Sequence, residues 1–148
     1  MPKSLPLELL APLGCGLQTG AGTVMNSLTV RARSTVAIFG AGSVGLAAVM
    51  AARIVKAKTP IAVDLNDGRL KLARELGAPH CINNRRSDLA WSVGATMRRG
   101  VDYVVESTAD RRMKQLAAGL LNLRDPPGWW SLRAGCRGTP TIACAAAA

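Results

Sequence analysis

The stretch VAIFGAGSVGL, residues 36–46, joins an apolar run to a cluster of glycines and then to small apolar residues. The β-branched and apolar residues before Gly40 predict a buried parallel strand, because both faces of such a strand are covered. Residues 43–55 are rich in alanine and apolar on nearly every side, which predicts a buried helix. A strand, a tight turn and a helix in this order indicate an α/β fold.

The glycines after this strand have the spacing G-x-G-x-x-G, with Gly40, Gly42 and Gly45 at the glycine positions. A strand precedes them, a helix follows, and an acidic residue, Asp64, stands 19 residues after Gly45, which is the context of a dinucleotide-binding turn. There the first glycine permits the bend, the second lets the backbone approach a pyrophosphate, and the third allows close helix packing. An ordinary glycine-rich turn is the alternative.

Asp64 ends a second apolar run, PIAVD. A carboxylate at the end of the second strand accepts hydrogen bonds from the adenosine ribose and repels a 2′-phosphate, so it favours NAD over NADP. The alternative role is a helix cap or a plain turn residue. Arg69 lies near the same edge, where it would either contact the ribose or remain solvated.

The alternation of strands and helices continues along the chain. It predicts a Rossmann-type, doubly wound parallel sheet of about four strands with the local order 3-2-1-4, because parallel strands need right-handed helical crossovers. The predicted strands are residues 34–39, 60–63, 80–82 and 101–106, and the predicted helices are residues 19–28, 43–55, 69–76 and 88–97.

The composition suits one aliphatic domain, since 49% of the 148 residues are hydrophobic and only 3% are aromatic. The four cysteines form no C-x-x-C pair, which argues against a zinc finger or a secreted disulfide framework. No apolar run approaches the roughly 20 residues of a membrane span, and the start MPKSLPLELL does not resemble a signal peptide. The expected location is the cytoplasm.

The net charge of +10 is unevenly distributed, because residues 111–148 contain six Lys or Arg and one Asp or Glu. We therefore expect a partial dinucleotide-binding domain at residues 1–110 and an irregular basic tail at residues 111–148, which adds little to the core and is mobile. Residues 111–123 fit one more helix, but no further strand is predicted. A shifted reading frame or a misjudged gene end would explain the change in composition. The tail's arginines also leave a nucleic-acid-binding protein as an alternative, although aromatic stacking platforms and RNA-binding motifs are absent.

Four segments together, PLGCGLQTGAG, VAIFGAGSVGL, AVDLNDGRLKLARELGA and GVDYVVEST, resemble the zinc-dependent medium-chain alcohol dehydrogenases. The aryl- or benzyl-alcohol dehydrogenase branch looks nearest, and the resemblance covers residues 7–109. It implies reversible hydride transfer between an alcohol and NAD, with a small-molecule alcohol or aldehyde as substrate and a homo-oligomeric enzyme.

The resemblance also assigns roles to individual residues. It implies that Cys15 is one of three protein ligands to a catalytic zinc and that Thr19 lies near the nicotinamide. It implies that the main chain at Ser107 and Thr108 lies beside the cofactor. The remaining cofactor-binding residues that it implies are Gly40, Gly42, Gly45, Asp64 and Arg69. Ala109 departs from the family, which usually has a glycine there.

A catalytic zinc site needs three protein ligands, and the other two come from a segment of the family that this sequence lacks. The only histidine, His80, is expected to have a structural role, and Cys81, Cys136 and Cys144 show no ligand spacing with it. The sequence thus predicts a truncated cofactor-binding domain that binds NAD, does not retain zinc, has lost much of the family's subunit interface and is inactive alone. A non-enzymatic NAD-binding module is the first alternative.

Overall fold

The computed structural model describes residues 10–85, 100–121 and 128–131. A parallel sheet of five strands, in the order β3-β2-β1-β4-β5, forms its centre. The predicted local order 3-2-1-4 is therefore confirmed, and with it the α/β Rossmann-type fold. The strands are β1 (Thr35–Phe39), β2 (Thr59–Asp64), β3 (His80–Asn83), β4 (Tyr103–Glu106) and β5 (Gly128–Ser131).

The helices connect these strands and cover both faces of the sheet. The first, α1, is π-helical at Leu13–Leu17, α-helical at Gln18–Gly22 and π-helical again at Thr23–Ser27. It begins six residues before the predicted helix, because glycines lower helix propensity in the sequence whereas packing decides in the fold. The others are α2 (Ser43–Ile54), α3 (Asp67–Leu76) and α4 (Arg111–Gly119). The helix predicted at residues 88–97 lies outside the described residues.

The segment after Asp110 differs in two respects from the sequence prediction. The strand β5 pairs with β4 in parallel, from Tyr103 opposite Gly128 to Glu106 opposite Ser131, although no fifth strand was predicted. Four residues after two prolines are too few to show a period. In α4, Ala117 is fully buried and belongs to a core cluster, so this helix contributes to the core of a chain whose residues 111–148 were expected to add little to it. The domain boundary at residue 110 stays a prediction, and residues 122–127 and 132–148 lie outside the described part of the chain.

The core consists of two clusters, one on each face of the sheet. Alternate residues of β1 divide between them, since Val36 and Ile38 belong to the cluster that includes residues of α1, α2 and α3, whereas Ala37 and Phe39 belong to the cluster that includes α4. A strand that is buried on both faces needs apolar residues at every position, which explains the continuous run TVAIF.

At the amino end of the sheet, Asp102 connects β1 to the start of β4. Its Oδ2 accepts hydrogen bonds from the backbone N–H (2.7 Å) and the hydroxyl (2.8 Å) of Thr35. The N–H of Asp102 donates in return to the Thr35 hydroxyl at 2.9 Å. Hydrogen bonds to a carboxylate stabilise by about 1.5–3 kcal/mol each, so this pair aligns the two strands.

Candidate cofactor-binding cleft

A cleft of about 750 Å³ opens at the carboxyl end of the sheet. The strand register places Phe39 opposite both Val63 and Glu106, so the residues that follow these three strands meet at one edge. The strand that follows β1 in the sequence, β2, lies on one side of β1, and β4 lies on its other side. Open α/β sheets bind their ligands at the carboxyl end of the strands, at the point where the strand order changes direction in this way. The volume suits a dinucleotide-sized ligand or part of one.

Gly40 begins the turn after β1 in a left-handed conformation, with φ of +89°. Its N–H donates to the carbonyl of Val63 at 2.8 Å, which holds the turn against the end of β2. A Cβ at this position would lie 2.8 Å from Ser107 Oγ and 3.2 Å from Thr108 Cγ2. Both the backbone angle and the crowding require glycine here.

The other two glycines of the motif differ from each other in what they contact. A Cβ on Gly45 would lie 1.7 Å from the carbonyl oxygen of Gly40, so glycine is needed for α2 to pack against the turn. A Cβ on Gly42 would meet nothing within 4 Å, and its backbone (φ −80°, ψ −168°) suits any residue. The fold requires glycine at position 45 but not at position 42, where the space is open.

Gly42 is also the N-cap of α2, and it has no side chain to accept hydrogen bonds from the first turn. The first N–H groups of a helix have no partner within the helix, and the helix dipole adds partial positive charge there. The first turn of α2 contains no acidic residue. Open space in front of such a helix end accommodates an anionic group, as phosphate-binding turns do.

Asp64, at the end of β2, anchors the turn at residues 40–43, which we call the phosphate turn after its sequence motif. Its Oδ2 accepts from the N–H of Ala41 at 2.6 Å, and its Oδ1 accepts from the N–H groups of Leu65 (2.7 Å) and Asn66 (2.9 Å). The side chain is only 9% exposed. A carboxylate has about four acceptor positions, so these bonds leave capacity for a ligand hydroxyl.

Two neighbours of Asp64 clarify the alternatives that the sequence left open. The side chain that caps α3 belongs to Asn66, which accepts from the N–H of Arg69 at 3.1 Å, so Asp64 is not the cap of that helix. The Arg69 guanidinium lies 4.0 Å from Asp64 Oδ2 and is 59% exposed, so this ion pair contributes little to stability. Arg69 nevertheless lines the cleft.

The turn after β4 forms the opposite wall of the cleft. The N–H of Ser107 donates to the carbonyl of Phe39 at 2.9 Å, and its hydroxyl donates to the same carbonyl at 2.9 Å. Thr108 lines the cleft beside Gly40. Ala109, where the resemblance leads one to expect glycine, has a left-handed backbone with φ of +61°. The geometry of a glycine turn is therefore kept although the glycine is not.

Cys15 lies in the first π-helical segment of α1 and is exposed, so it is not a buried structural thiol. A Cβ on Gly16 would come within 2.6 Å of Ser43 Oγ, which shows that α1 packs closely on the start of α2. Thr19 is partly buried, and its carbonyl accepts from the Thr23 hydroxyl at 2.7 Å. The zinc role of Cys15 and the nicotinamide contact of Thr19 remain predictions.

Within residues 10–85, 100–121 and 128–131, no three Cys, His, Asp or Glu side chains are close enough together to hold a metal ion. His80 is exposed at the start of β3. The Cys81 thiol donates to the carbonyl of Leu70 at 3.3 Å, and burial raises the pKa of this thiol against the opposing charge of Arg74. Cys136 and Cys144 lie outside the described residues. None of the helices in the described part of the chain is long and apolar enough to cross a membrane.

Comparison with known proteins agrees with this geometry. A family model described as zinc-binding dehydrogenase matches residues 43–124, which is more than half of the chain. The chain belongs to the zinc-binding dehydrogenase family. The match begins at the helix that follows the glycine turn and extends through β4 and α4, so it includes Asp64 and Thr108 but not Cys15.

Three similar proteins are named as dehydrogenases, two of them as alcohol dehydrogenases. The geraniol dehydrogenase of Castellaniella defragrans is 44% identical over 105 residues, which are 70% of this chain and 28% of that protein. An alcohol dehydrogenase zinc-binding domain protein from Burkholderia ambifaria matches with a TM-score of 0.83 and 48% identity, over 95% of this chain and 37% of that one. The benzyl alcohol dehydrogenase of Acinetobacter calcoaceticus matches with a TM-score of 0.82 and 38% identity, over 95% and 38%.

These comparisons confirm the resemblance to the zinc-dependent medium-chain alcohol dehydrogenases, the benzyl-alcohol branch included. They also show that the chain spans only 28–38% of the length of these three relatives. The activity of a whole protein of this family is therefore a matter for proposal.

Proposed function

We propose that the cleft binds NAD and that the chain is the cofactor-binding part of a zinc-dependent alcohol dehydrogenase. The reaction of the whole enzyme is reversible hydride transfer between an alcohol and NAD, and the similarity to a benzyl alcohol dehydrogenase favours a benzylic or other aryl alcohol. The observation that carries the proposal is the open space at Gly42, in front of the uncapped start of α2. The fold gives no reason for glycine there, whereas a pyrophosphate does.

The described residues suit each part of the dinucleotide. The first turn of α2 supplies N–H groups and positive dipole to the pyrophosphate. Asp64 keeps acceptor capacity for the hydroxyls of the adenosine ribose, and Arg69 lines the cleft near that carboxylate. Thr108 forms the wall opposite Asp64. Thr19 would lie toward the nicotinamide, as the resemblance implies.

Preference for NAD over NADP follows from Asp64. Three backbone N–H groups already hold its carboxylate, so rotating the carboxylate away from a ligand would break these hydrogen bonds. A 2′-phosphate placed beside it would meet a like charge in a cleft where solvent screening is reduced.

Zinc chemistry is not assigned to the described part of the chain. Cys15 is one thiolate, and a catalytic zinc site uses three protein ligands together with an open position. When bound in an intact enzyme of this family, zinc polarises the alcohol oxygen and lowers its pKa. What these residues contribute is the binding and orientation of the dinucleotide.

A titration with NADH, followed by its fluorescence, tests the proposal with two alanine variants. Gly42→Ala suits the backbone and contacts no protein atom, so we expect an unchanged melting temperature and affinity at least about tenfold weaker, equivalent to about 1.4 kcal/mol. Gly119→Ala is the matched control, because a Cβ there also meets nothing within 4 Å and lies in α4. Equal NADH affinity in the parent chain and in Gly42→Ala would refute the pyrophosphate position, and no binding by the parent chain would refute the proposal.

A further inference from the structure

A buried carboxylate lies directly beneath one wall of the cleft. Glu106, the last residue of β4, is fully buried, and sequence analysis assigned it no role beyond the end of a strand. Its Oε1 accepts from the N–H of Thr108 at 2.6 Å, from the N–H of Ala109 at 3.1 Å and from the Thr108 hydroxyl. Burying a carboxylate is costly unless it is well hydrogen-bonded, so such a residue has a specific structural purpose.

These bonds close the turn that follows β4. Ala109 adopts a left-handed backbone, which is unfavourable for an alanine, and its N–H is one of the donors to Glu106 named above. The Thr108 hydroxyl also accepts from the N–H of Asp110 at 3.1 Å. Asp110 in turn caps α4, because its Oδ1 accepts from the N–H of Arg112 at 2.7 Å. One carboxylate thus begins a chain of bonds that extends to the next helix.

The closed turn contacts the first glycine of the phosphate motif. The Ser107 hydroxyl lies 3.2 Å from the carbonyl oxygen of Gly40. The methyl group of Thr108 would be 3.2 Å from a Cβ on Gly40. Gly40 in turn carries the carbonyl against which Gly45 packs at the start of α2. A shift of the Ser107–Asp110 turn would therefore displace the phosphate turn as well as the wall of the cleft.

We propose that Glu106 is a positioning residue for the cofactor: it fixes the Ser107–Asp110 turn, and through that turn the Gly40–Ser43 segment, in the conformation that receives the dinucleotide. The identity of the ligand in this inference rests on the proposed function, whereas the fixing of the turn by Glu106 does not. Glu106 contacts the turn from beneath, and it is fully buried, so it acts through the turn rather than on the ligand.

The chain provides a matched control in Asp102. Asp102 directly precedes β4 and Glu106 ends it, and both carboxylates accept from a backbone N–H and a threonine hydroxyl, Thr108 for Glu106 and Thr35 for Asp102. They lie at opposite ends of the sheet. Loss of either charge should cost stability, whereas only Glu106 supports the cleft.

The experiment compares Glu106→Gln and Asp102→Asn by amide hydrogen exchange and by NADH titration. In Glu106→Gln, neutral hydrogen bonds replace charge-assisted ones, so we expect exchange to become about tenfold faster at residues 107–110 and faster at residues 40–43. NADH affinity should fall about three- to tenfold. In Asp102→Asn, exchange should quicken at Thr35 and Asp102, while residues 40–43 and NADH affinity stay unchanged.

The two measurements separate the two proposals. Unchanged exchange at residues 40–43 in Glu106→Gln, or the same change in Asp102→Asn, would overturn the positioning role. So would unchanged NADH affinity in Glu106→Gln when the parent chain binds NADH. If the parent chain does not bind NADH, the proposed function fails, and exchange alone decides the structural step. If Glu106→Gln does not fold, Thr108→Val removes one donor and Thr108→Ser retains it, and faster exchange at residues 40–43 is expected only in the former.

Discussion

At the scale of single residues, the shape of the cleft depends on a few positions where the backbone conformation, the neighbouring atoms or the hydrogen bonds favour one amino acid. Gly40 is fixed by its φ of +89° and by crowding from Ser107, and Gly45 by the carbonyl of Gly40. Asp64 joins the phosphate turn to β2 through the N–H of Ala41. Ala109 is different, because glycine would suit its left-handed backbone better than alanine does.

Ala109→Gly should stabilise the chain. At φ of +61° an alanine costs about 1–2 kcal/mol, and glycine removes that cost but loses about 0.5–1 kcal/mol through the greater entropy of its unfolded chain, so the expected net gain is about 0.5–1 kcal/mol. The measurement is the melting temperature. Ala118→Gly, in α4, should lower the melting temperature, because glycine in a helix reduces the free energy of unfolding by about 1 kcal/mol. A loss of stability in both variants would contradict the account of this turn.

Asp64→Asn should narrow the preference for NAD over NADP. The amide oxygen keeps one acceptor for the turn, while the charge that repels a 2′-phosphate is removed. Parallel titrations with NADH and NADPH measure the ratio of affinities, and the parent chain should favour NADH by tenfold or more, equivalent to about 1.4 kcal/mol. Arg74→Gln, on α3 away from the cleft lining, is the control and should keep the ratio. Equal binding of both cofactors by the parent chain would contradict the prediction.

At the scale of elements, close contact between helices and turns is achieved with glycine. A Cβ on Gly20 of α1 would lie 2.0 Å from the carbonyl oxygen of Val44 and 2.8 Å from the Cβ of Ala47, so α1 and α2 approach to backbone contact. Gly16 makes the same kind of contact with Ser43. The opening segment LGCGLQTGAG is therefore a helix that packs through its glycines on the helix of the phosphate turn.

Gly20→Ala and Gly45→Ala should each destabilise the chain by about 1–3 kcal/mol or more, because the added methyl group meets backbone atoms that cannot move independently. Gly22→Ala is the control in the same helix, since its Cβ would approach nothing closer than 4.0 Å, and it should be neutral or stabilising. Chemical denaturation measures the free energy of unfolding. Equal effects at positions 20 and 22 would mean that α1 is not packed as described.

How far the sequence predicted these elements depended on the strength of the local signal. The run STVAIF and the motif after it predicted β1, α2 and the order 3-2-1-4, because apolar runs, glycine spacing and the crossover rule agree there. The start of α1 was not predicted, because its glycines have low helix propensity. Only the close packing of α1 against α2 explains why glycine occurs there. The strand β5 was missed because four residues, GWWS, carry no period. Glu106 was missed because a terminal strand acid has no sequence signature for the bonds that it accepts.

At the scale of the whole molecule, the described chain contains a binding cleft but not a complete catalytic site. It spans 28–38% of the length of the three relatives above. The family's hydride transfer needs an activated alcohol beside the cofactor, and activation by zinc needs three protein ligands. The proposed binding of the cofactor is thus separable from the catalysis that a whole enzyme of the family would perform.

The chain alone should not oxidise alcohols. Purified chain with zinc, NAD and a panel of primary and benzylic alcohols should give no increase in NADH absorbance, and metal analysis should find less than one zinc per chain, because one thiolate does not hold a catalytic ion. Cys15→Ala should therefore match the parent chain in both assays. Turnover that disappears in Cys15→Ala, with one zinc per chain, would show ligands outside the described residues.

A salt-dependent oligonucleotide titration distinguishes the nucleic-acid-binding alternative from NAD binding.

The open backbone at Gly42 has a consequence for descent. Gly40 and Gly45 are held by the fold, so any lineage that keeps this sheet keeps them whether or not it binds a ligand. A Cβ at position 42 meets no protein atom within 4 Å, so the fold itself does not require glycine there, whereas a bound pyrophosphate would select against substitution. Among descendants of a common ancestor, the amino acid at this one position would therefore record whether selection for binding a pyrophosphate persisted.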